Sequence, residues 1–191
     1  MIINIRGTSG TGKTHMVRAF MADHPGWVPQ FIEGRKRPVG YLHPGDHGPE
    51  WLQGGVFVAG NYECVCGGTD TLPSWGFIHD VVRDRALQRQ HVLFEGLLWS
   101  HETKRTIMLS KDFQMQVWGI HLPIEECLDS INARRRQKNP DAADVNPAST
   151  ISGARQTKAA LLKLEANGVR VVHGTRNELA DLLEHTLGAL L

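Results

Sequence analysis

The chain has 191 residues, 41% of them hydrophobic and 21% charged, and this composition excludes extended disorder, a fibrous repeat and a disulfide scaffold. Because 21 Lys and Arg residues face 20 Asp and Glu residues, the formal net charge is +1. That balance excludes a generally basic nucleic-acid coat, although it leaves room for a local basic groove, and the length suits one domain over residues 1–191.

The amino-terminal half alternates short apolar runs with amphipathic stretches. The β-branched run 2–5 predicts a buried strand, a glycine-rich loop follows over 7–14, and the apolar spacing of 15–22 predicts a helix. The half continues with a strand over 30–33, a loop over 39–55 that contains a short strand at Tyr41 and Leu42, a strand over 56–60, a loop over 61–74, a helix over 77–90 and a strand over 91–96.

The carboxyl-terminal half repeats this alternation. It predicts a helix over 102–110, a strand over 115–122, a helix opened by Pro123 that runs to 138, a segment over 139–150 that we expect to be mobile, a helix over 150–166, a strand over 169–172 and a helix over 177–190. Strands that alternate with helices predict an α/β fold of three layers, with a mostly parallel central sheet and helices on both faces.

Residues 7–14 read Gly-Thr-Ser-Gly-Thr-Gly-Lys-Thr and match the pattern G-x-x-x-x-G-K-[ST] in full, between a predicted strand and a predicted helix. Glycines let several backbone N–H groups face one concave site, and the positive amino-terminal end of the following helix favours phosphate. Lys13 can reach the β- and γ-phosphates, and the Thr14 hydroxyl can hold Mg²⁺. The sequence therefore predicts a phosphate-binding P-loop formed by Gly7, Thr8, Ser9, Gly10, Thr11, Gly12, Lys13 and Thr14.

A carboxylate near the metal is the second part that such a loop requires, commonly at the end of an apolar strand. Glu95 stands at the carboxyl end of the apolar strand 91–96, and ligands of open α/β sheets bind beyond such strand ends. We therefore expect Glu95 to orient Mg²⁺ or its water together with Thr14. Asp70 and Glu33 also follow predicted strands and are rival candidates.

A small P-loop kinase is favoured over a GTPase, because the chain lacks the base-reading pattern Asn-Lys-x-Asp. The cations Arg134, Arg135, Arg136 and Lys138 end a predicted helix before a proline-containing segment. Such a basic lid neutralises charge on a transferring phosphoryl group and excludes water, although a solvated helix end would look the same. We expect a lid around residues 132–150 with Arg134 and Arg136 as catalytic candidates, of which only one or two residues face phosphate.

Loop residues offer groups for the acceptor side. Asp70, beside a flexible Gly-Gly pair, could accept the proton of an acceptor hydroxyl as a general base, and Glu33 could do so instead. Either acid could also simply cap a turn. Three tryptophans near these loops could stack on a nucleobase, although packing is their more common role: Trp51, Trp75 and Trp99.

The cysteines and the apolar runs bear on location. Three cysteines, an odd and sparse set, favour a reducing compartment, and Cys64-x-Cys66 lacks the spacing and the second pair of a zinc site. No apolar run approaches the roughly 20 residues that span a bilayer. We therefore expect a cytoplasmic protein without a membrane partner.

Several segments beyond the phosphate loop form a recognisable set: Glu33-Gly-Arg-Lys-Arg-Pro38, Tyr62-Glu63 with Gly67-Gly-Thr-Asp70, Leu93-Phe-Glu-Gly96, Ser100-His-Glu-Thr-Lys-Arg105 and Asn132-Ala-Arg-Arg-Arg136. Together with Asn4–Thr14, they resemble the phage-encoded P-loop kinases of thymidine hypermodification, the 5-hydroxymethyluracil DNA kinases. Those enzymes phosphorylate the hydroxymethyl group of the base within DNA. The resemblance extends from Asn4 to about Lys163.

The resemblance implies ATP as the phosphoryl donor, a DNA-borne primary alcohol as the acceptor and the host cytoplasm as the location. It implies that Lys13, Thr14 and Glu95 serve ATP and Mg²⁺ and that the lid arginines serve the transition state. Candidates for the DNA backbone are Arg35, Lys36, Arg37, Lys104 and Arg105. A kinase of free nucleosides or nucleotides, and a nucleotide-dependent binding module with weak turnover, stay as alternatives.

Overall fold

The computed structural model describes residues 1–45, 54–64 and 66–191, and within these ranges seven strands form one sheet. The strands are β1 (Ile2–Arg6), β2 (Val28–Gln30), β3 (Gly40–His43), β4 (Val56–Ala59), β5 (His91–Glu95), β6 (Met115–Ile120) and β7 (Arg170–Gly174). Their order is β2-β3-β4-β5-β1-β6-β7, with five neighbouring strands parallel and the pairs β2–β3 and β3–β4 antiparallel. We call the edge where the five parallel strands end the carboxyl edge.

Six α-helices of the described residues cover the sheet. They are α1 (Lys13–Asp23), α2 (Trp75–Leu87), α3 (Lys104–Asp112), α4 (Ile124–Lys138), α5 (Pro147–Ala166) and α6 (Arg176–Leu187). Successive strand side chains point to opposite faces, so Ile2 packs in a cluster with α2, α3 and α5, whereas Ile3 packs in a cluster with α1 and α6. The predicted three-layer α/β architecture, with a mostly parallel sheet covered on both faces, is confirmed.

The second strand is where the sequence-based prediction is wrong. Gln30 pairs with Gly40 and ends β2, whereas a strand was predicted over 30–33. Phe31 and Ile32 are 58% and 42% exposed, so this apolar pair lies outside the sheet. A short apolar run does not by itself reveal whether a partner strand covers it.

The helix over 150–166 begins earlier than predicted. α5 starts at Pro147, because the Asn146 side chain accepts a hydrogen bond from the Ala148 N–H and proline suits a first helical turn. The segment between α4 and α5, which was predicted to be mobile over 139–150, is therefore shortened to residues 139–146.

Two one-turn 3-10 helices, Gly68–Thr71 and Leu98–His101, lie at the carboxyl edge and were not predicted. The predicted short strand at Tyr41 and Leu42 is confirmed as β3, whereas residues 46–53 of the predicted loop, including Trp51, fall outside the described residues. Across the described ranges, the helices are all too short or too polar to cross a membrane.

Candidate active site

The strand-to-helix turn between β1 and α1 forms a cradle for an anion. Gly10 and Gly12 have φ values of +87° and +86°, a left-handed conformation that favours glycine. Gly12 is the N-cap of α1, and neither a capping side chain nor a first-turn acid occupies that helix end. The first N–H groups of α1 and its positive dipole end therefore face a cavity of about 370 Å³.

Lys13 is buried beneath this cradle. Its Nζ donates hydrogen bonds to the carbonyl oxygens of Gly7, at 2.7 Å, and Thr8, at 3.1 Å. Burial lowers the pKa of Lys13, while the nearby carboxylates of Glu95 and Asp70 oppose that shift. Lys13 thus brings a cation to the cavity without leaving the loop.

Thr14 and Glu95 meet because β1 and β5 are adjacent strands that end at the same edge. The Thr14 hydroxyl donates a 2.8 Å hydrogen bond to Glu95 Oε1, and both residues line the cavity. Burial raises the pKa of Glu95 to about 7, against the opposing effects of Lys13 and the Thr14 hydrogen bond. Hydroxyl and carboxylate oxygens at this spacing are the donor set that Mg²⁺ uses beside phosphates, so the residues present fit this ion.

The 3-10 helix Gly68–Thr71 holds the second carboxylate of the cavity. Thr69 Oγ1 donates a 2.8 Å hydrogen bond to the Glu95 carbonyl oxygen, which fixes this turn against the end of β5. Asp70 lines the cavity and accepts hydrogen bonds from the Leu97 N–H at 2.7 Å and the Leu98 N–H at 3.1 Å. Asp70 therefore also fixes the turn that follows β5.

Of the two lid arginines predicted to be catalytic, the structure brings only Arg134 into the cavity. Arg136 forms an ion pair with Asp144 in the segment after α4, and its side chain is 53% exposed. Side chains two residues apart on a helix point in different directions, so Arg134 and Arg136 cannot both face the cavity. The Asn132 side chain also accepts a hydrogen bond from the Val145 N–H at 2.9 Å, so the segment is anchored to α4 at two points.

Sequence reasoning missed two further arginines that line the cavity. Arg18 lies one turn beyond the P-loop on α1 and donates to the Tyr62 carbonyl oxygen at 3.1 Å and to the Cys64 carbonyl oxygen. Arg176 starts α6, and its side chain approaches Gly12 closely. A cation at the start of the helix after the last parallel strand was a usable signal, because that position lies at the carboxyl edge.

Arg6, which sequence reasoning also missed, is fully buried behind the P-loop. Its guanidinium donates 2.6 Å hydrogen bonds to Asn4 Oδ1, the Glu102 carbonyl oxygen and Thr106 Oγ1. Burial lowers the pKa of Arg6 to about 9, while the nearby Glu102 carboxylate opposes that shift. This network ties β1 to the start of α3, and thereby fixes the strand that carries the P-loop.

The remaining predicted residues lie outside the phosphate cavity. Glu33 is exposed and is not among the residues that line the cavity. Arg35 packs its guanidinium 5.4 Å from the centre of the Phe77 ring, and Arg105 lies 5.9 Å from the centre of the Trp75 ring. Lys36, Arg37 and Lys104 are exposed. These five cations thus flank the cavity at the carboxyl edge rather than lining it.

A comparison with protein-family models finds no match for this chain. The chain is 39% identical over 192 residues to a 5-hmdU DNA kinase of Pseudomonas phage PaMx11, and the alignment covers 98% of this chain and 97% of that protein. It is 25% identical over 201 residues to a 5-hmdU DNA kinase of Delftia phage PhiW-14, covering 94% of this chain and 70% of that protein. The relative from PaMx11 matches nearly end to end, so the similarity spans both residues 7–14 and the segment between α4 and α5.

Proposed function

The chain belongs to the family of phage 5-hmdU DNA kinases, and we propose that it transfers the γ-phosphoryl group of ATP to the hydroxymethyl oxygen of 5-hydroxymethyluracil in DNA. The observation that carries this proposal is one cavity lined by Ser9, Gly10, Gly12, Lys13 and Thr14 of the P-loop, together with two carboxylates and three arginines. Such a cavity suits phosphoryl transfer, in which positioning and charge neutralisation supply most of the catalysis.

On the donor side, the P-loop residues grip the triphosphate. The amino-terminal N–H groups of α1 face the phosphate oxygens, and Lys13 moves its ammonium from the carbonyl oxygens of Gly7 and Thr8 to the β- and γ-phosphates. Thr14 and Glu95 would hold Mg²⁺, which would supply positive charge to neutralise the phosphates. Glu95 must be ionised for this task.

On the acceptor side, Asp70 is the group best placed to act as general base. Its carboxylate lines the cavity, whereas Glu33 is exposed outside it and Glu95 accepts the Thr14 hydrogen bond. Asp70 takes the proton of the hydroxymethyl group as its oxygen attacks the γ-phosphorus, and the bond from that phosphorus to the ADP oxygen breaks. The Leu97 and Leu98 N–H groups orient the carboxylate for this step.

The cavity arginines neutralise charge that spreads over the transferring group. Arg134 belongs to α4, Arg18 to α1 and Arg176 to α6, so three different helices bring cations to the cavity. Because Arg134 lies on the element that borders the lid segment, its contact with phosphate couples closure of the site to transfer.

The test uses γ-labelled ATP, magnesium and three acceptors: a single-stranded oligonucleotide with one 5-hydroxymethyluracil, the same strand with thymine, and free 5-hydroxymethyldeoxyuridine monophosphate. We expect label only in the modified oligonucleotide. Lys13→Ala should abolish this transfer, whereas Lys111→Ala, which removes an exposed cation from the last turn of α3, should leave it unchanged.

The other outcomes assign other functions. Label in the free nucleotide alone would identify a small-molecule kinase that uses the same cavity. Nucleotide binding without label in any acceptor would identify a binding module. Full activity of Lys13→Ala would contradict the role of the P-loop itself.

A further inference from the structure

Trp75 is an exposed tryptophan at the carboxyl edge that has no part in the mechanism above. It is 41% exposed at the first position of α2. Trp99, by contrast, is fully buried and packs edge-on against Phe94, with ring centres 5.4 Å apart, so it is a core residue. Leu97 and Leu98 are also exposed, at 37% and 53%, in the turn after β5. The Trp75 ring and the two leucines are therefore large apolar side chains at one edge of the sheet that folding leaves uncovered.

Named contacts hold this surface in place. Asp70 fixes the backbone of Leu97 and Leu98 through its two hydrogen bonds. The Arg105 guanidinium lies 5.9 Å from the centre of the Trp75 ring, a cation–π distance, and also lies 3.8 Å from the Glu102 carboxylate. We call Trp75, Leu97, Leu98 and Arg105 the Trp75 surface.

The Trp75 surface adjoins the mouth of the phosphate cavity. Leu97 lines that cavity and also belongs to the surface, and Asp70, the proposed base, is hydrogen-bonded to its backbone. α2 and α3 each run from the carboxyl edge back to the start of the next parallel strand, so Trp75 and Arg105 both lie at the edge where phosphoryl transfer takes place. An acceptor that reaches Asp70 therefore lies beside Leu97 and at the edge that carries Trp75.

The charges around the Trp75 surface complement a polyanion. Arg105 belongs to this surface, Lys104 precedes it at the start of α3, and Arg35, Lys36 and Arg37 follow β2 at the same edge. Two carboxylates of this edge are already hydrogen-bonded, since Asp70 accepts from the turn after β5 and Glu102 accepts from the Arg105 and Thr106 N–H groups. Aromatic and apolar faces flanked by cations suit a nucleic-acid strand, whose bases stack while its phosphates pair with the cations.

We propose that Trp75 is a stacking platform for an unpaired base of the acceptor DNA strand, next to the 5-hydroxymethyluracil nucleotide. This inference rests on the proposed function and adds a requirement to it. A base within a duplex already stacks on its neighbours, so the enzyme takes the strand locally unpaired at this position. Arg105 and Lys104 then pair with the phosphates that flank the stacked base.

The first test measures DNA affinity and ATP affinity separately. We expect Trp75→Leu to raise the KM for a modified single-stranded oligonucleotide at least about fivefold, the lower end for loss of one base–aromatic stack, and to leave the KM for ATP unchanged. Trp75→Phe retains an aromatic face and should stay within about threefold of the wild type. Leu87→Ala removes an apolar side chain that is 56% exposed, more than Trp75, from the far end of α2 and should have no effect on either constant.

The second test separates stacking from a merely structural role. Oligonucleotides with an abasic site immediately 5′ or 3′ of the modified nucleotide remove the partner base. One of these two strands should weaken binding to the wild type about as much as Trp75→Leu does, and the mutation should cost little further with that strand. Independent, additive losses on both strands would overturn the proposal.

The remaining outcomes are also decisive. If the wild type phosphorylates the modified oligonucleotide while Trp75→Leu binds it equally well, the stacking inference is wrong and the proposed function stands. If Trp75→Leu instead changes the sedimentation behaviour of the protein, the surface is a contact between copies of this chain. If the wild type labels only free nucleotides, the proposed function itself fails.

Discussion

Glu95 is the residue where the requirements of the site oppose those of folding. Its carboxylate is 1% exposed and accepts one hydrogen bond from Thr14, an arrangement that suits a magnesium site but penalises the ionised form in the free protein. This penalty raises the pKa of Glu95 from its ordinary value of 4.5 to about 7. The charges that face it are the cations Lys13 and Arg18 and the carboxylate Asp70.

Glu95 therefore gives the free protein a pH-dependent stability. The folded-state pKa lies above the unfolded one, so its stabilising contribution is complete below pH 4.5 and is lost as the pH rises through 7. Relative to Glu95→Gln, the free energy of unfolding of the wild type should fall by roughly 3 kcal/mol between pH 4 and pH 8. Urea unfolding of both proteins without nucleotide or magnesium measures this difference, and a pH-independent difference would contradict it.

The same substitution should remove activity. Glu95→Gln cannot carry the negative charge that the metal requires, so we expect transfer to fall at least about 100-fold, the scale for losing one electrostatic group at a reacting centre. Magnesium-dependent initial rates at pH 8 measure this loss. A variant that retains wild-type rates would show that another carboxylate serves the metal.

Gly68 is the second residue that decides the site, because its backbone lies directly against the Glu95 carboxylate. A Cβ at this position would clash with Glu95 Oε1, and its φ of +76° is also unfavourable for other residues. Gly34 has a similar φ of +79° but no atom within 4 Å of the same added Cβ. Comparing alanine substitutions at Gly68 and Gly34 therefore separates the energetic cost of the left-handed backbone conformation from the cost of the close contact with Glu95.

We expect Gly34→Ala to lower the free energy of unfolding by about 1 kcal/mol, the cost of a left-handed conformation, with little change in transfer. Gly68→Ala should lose about 3 kcal/mol, since crowding adds to that cost, and should also lose most of the activity by displacing Glu95. Thermal unfolding and transfer rates measure both effects. Equal losses of stability and of activity in the two variants would show that the contact between Gly68 and Glu95 has no effect.

At the scale of elements, the two cations Arg134 and Arg136 near the end of α4 have different surroundings and different roles. Arg134 points into the cavity, whereas Arg136 binds Asp144 and, together with Asn132, fastens the segment that leads to α5. The sequence-based prediction of two catalytic arginines is thus reduced in this structure to one that lines the cavity. Arg136 instead pairs with Asp144 in the segment between α4 and α5.

These tasks predict different responses to alanine. Arg134→Ala should lower kcat at least about 100-fold, because the charge of the transferring group loses a cation. Arg136→Ala should lower kcat less than about tenfold, matching Asp144→Ala, because an exposed ion pair contributes about 1 kcal/mol at most. Steady-state rates with saturating oligonucleotide measure the three variants. A large loss of kcat for Arg136→Ala with no loss for Asp144→Ala would show that Arg136 itself contacts the phosphoryl group.

At the scale of the whole molecule, the net charge of +1 makes DNA binding a local property. Five cations at the carboxyl edge are candidates for the phosphates of the strand: Arg35, Lys36, Arg37, Lys104 and Arg105. If all five pair with phosphates, the slope of log K against log salt concentration for a single strand should be about −3.5. A slope near zero would exclude phosphate contacts as the source of affinity.

Charge removal locates the phosphate contacts. The double variant Lys36→Ala with Arg37→Ala should make the slope less steep by about 1.4, since each lost contact removes about 0.7. The control, Lys111→Ala with Lys163→Ala, removes two cations from the last turns of α3 and α5, which lie at the opposite edge of the sheet. Fluorescence anisotropy of a labelled strand across salt concentrations measures both. Equal slopes for the two double variants would contradict the local surface.

The sequence by itself determined the parts of this protein that local chemistry dictates. A strand, a glycine-rich turn and a helix that begins with Lys13 and Thr14 leave few alternatives to a phosphate cradle, and alternating strands and helices lead to a covered parallel sheet. Glu95 was also accessible to sequence reasoning, because carboxylates at strand ends collect at one edge. The local signals failed at Phe31 and Ile32, where burial depends on a partner strand.

Only the tertiary structure decided which distant side chains share the cavity. Glu33 and Asp70 looked alike as acids after strands, but only the turn that carries Asp70 is hydrogen-bonded to the end of β5. Arg18 and the buried Arg6 carried no pattern that marks a site, and Arg134 and Arg136 point in different directions because they lie two residues apart on one helix. The physical reason is that hydrogen bonds and packing between elements far apart in the chain set these directions, and no local spacing encodes them.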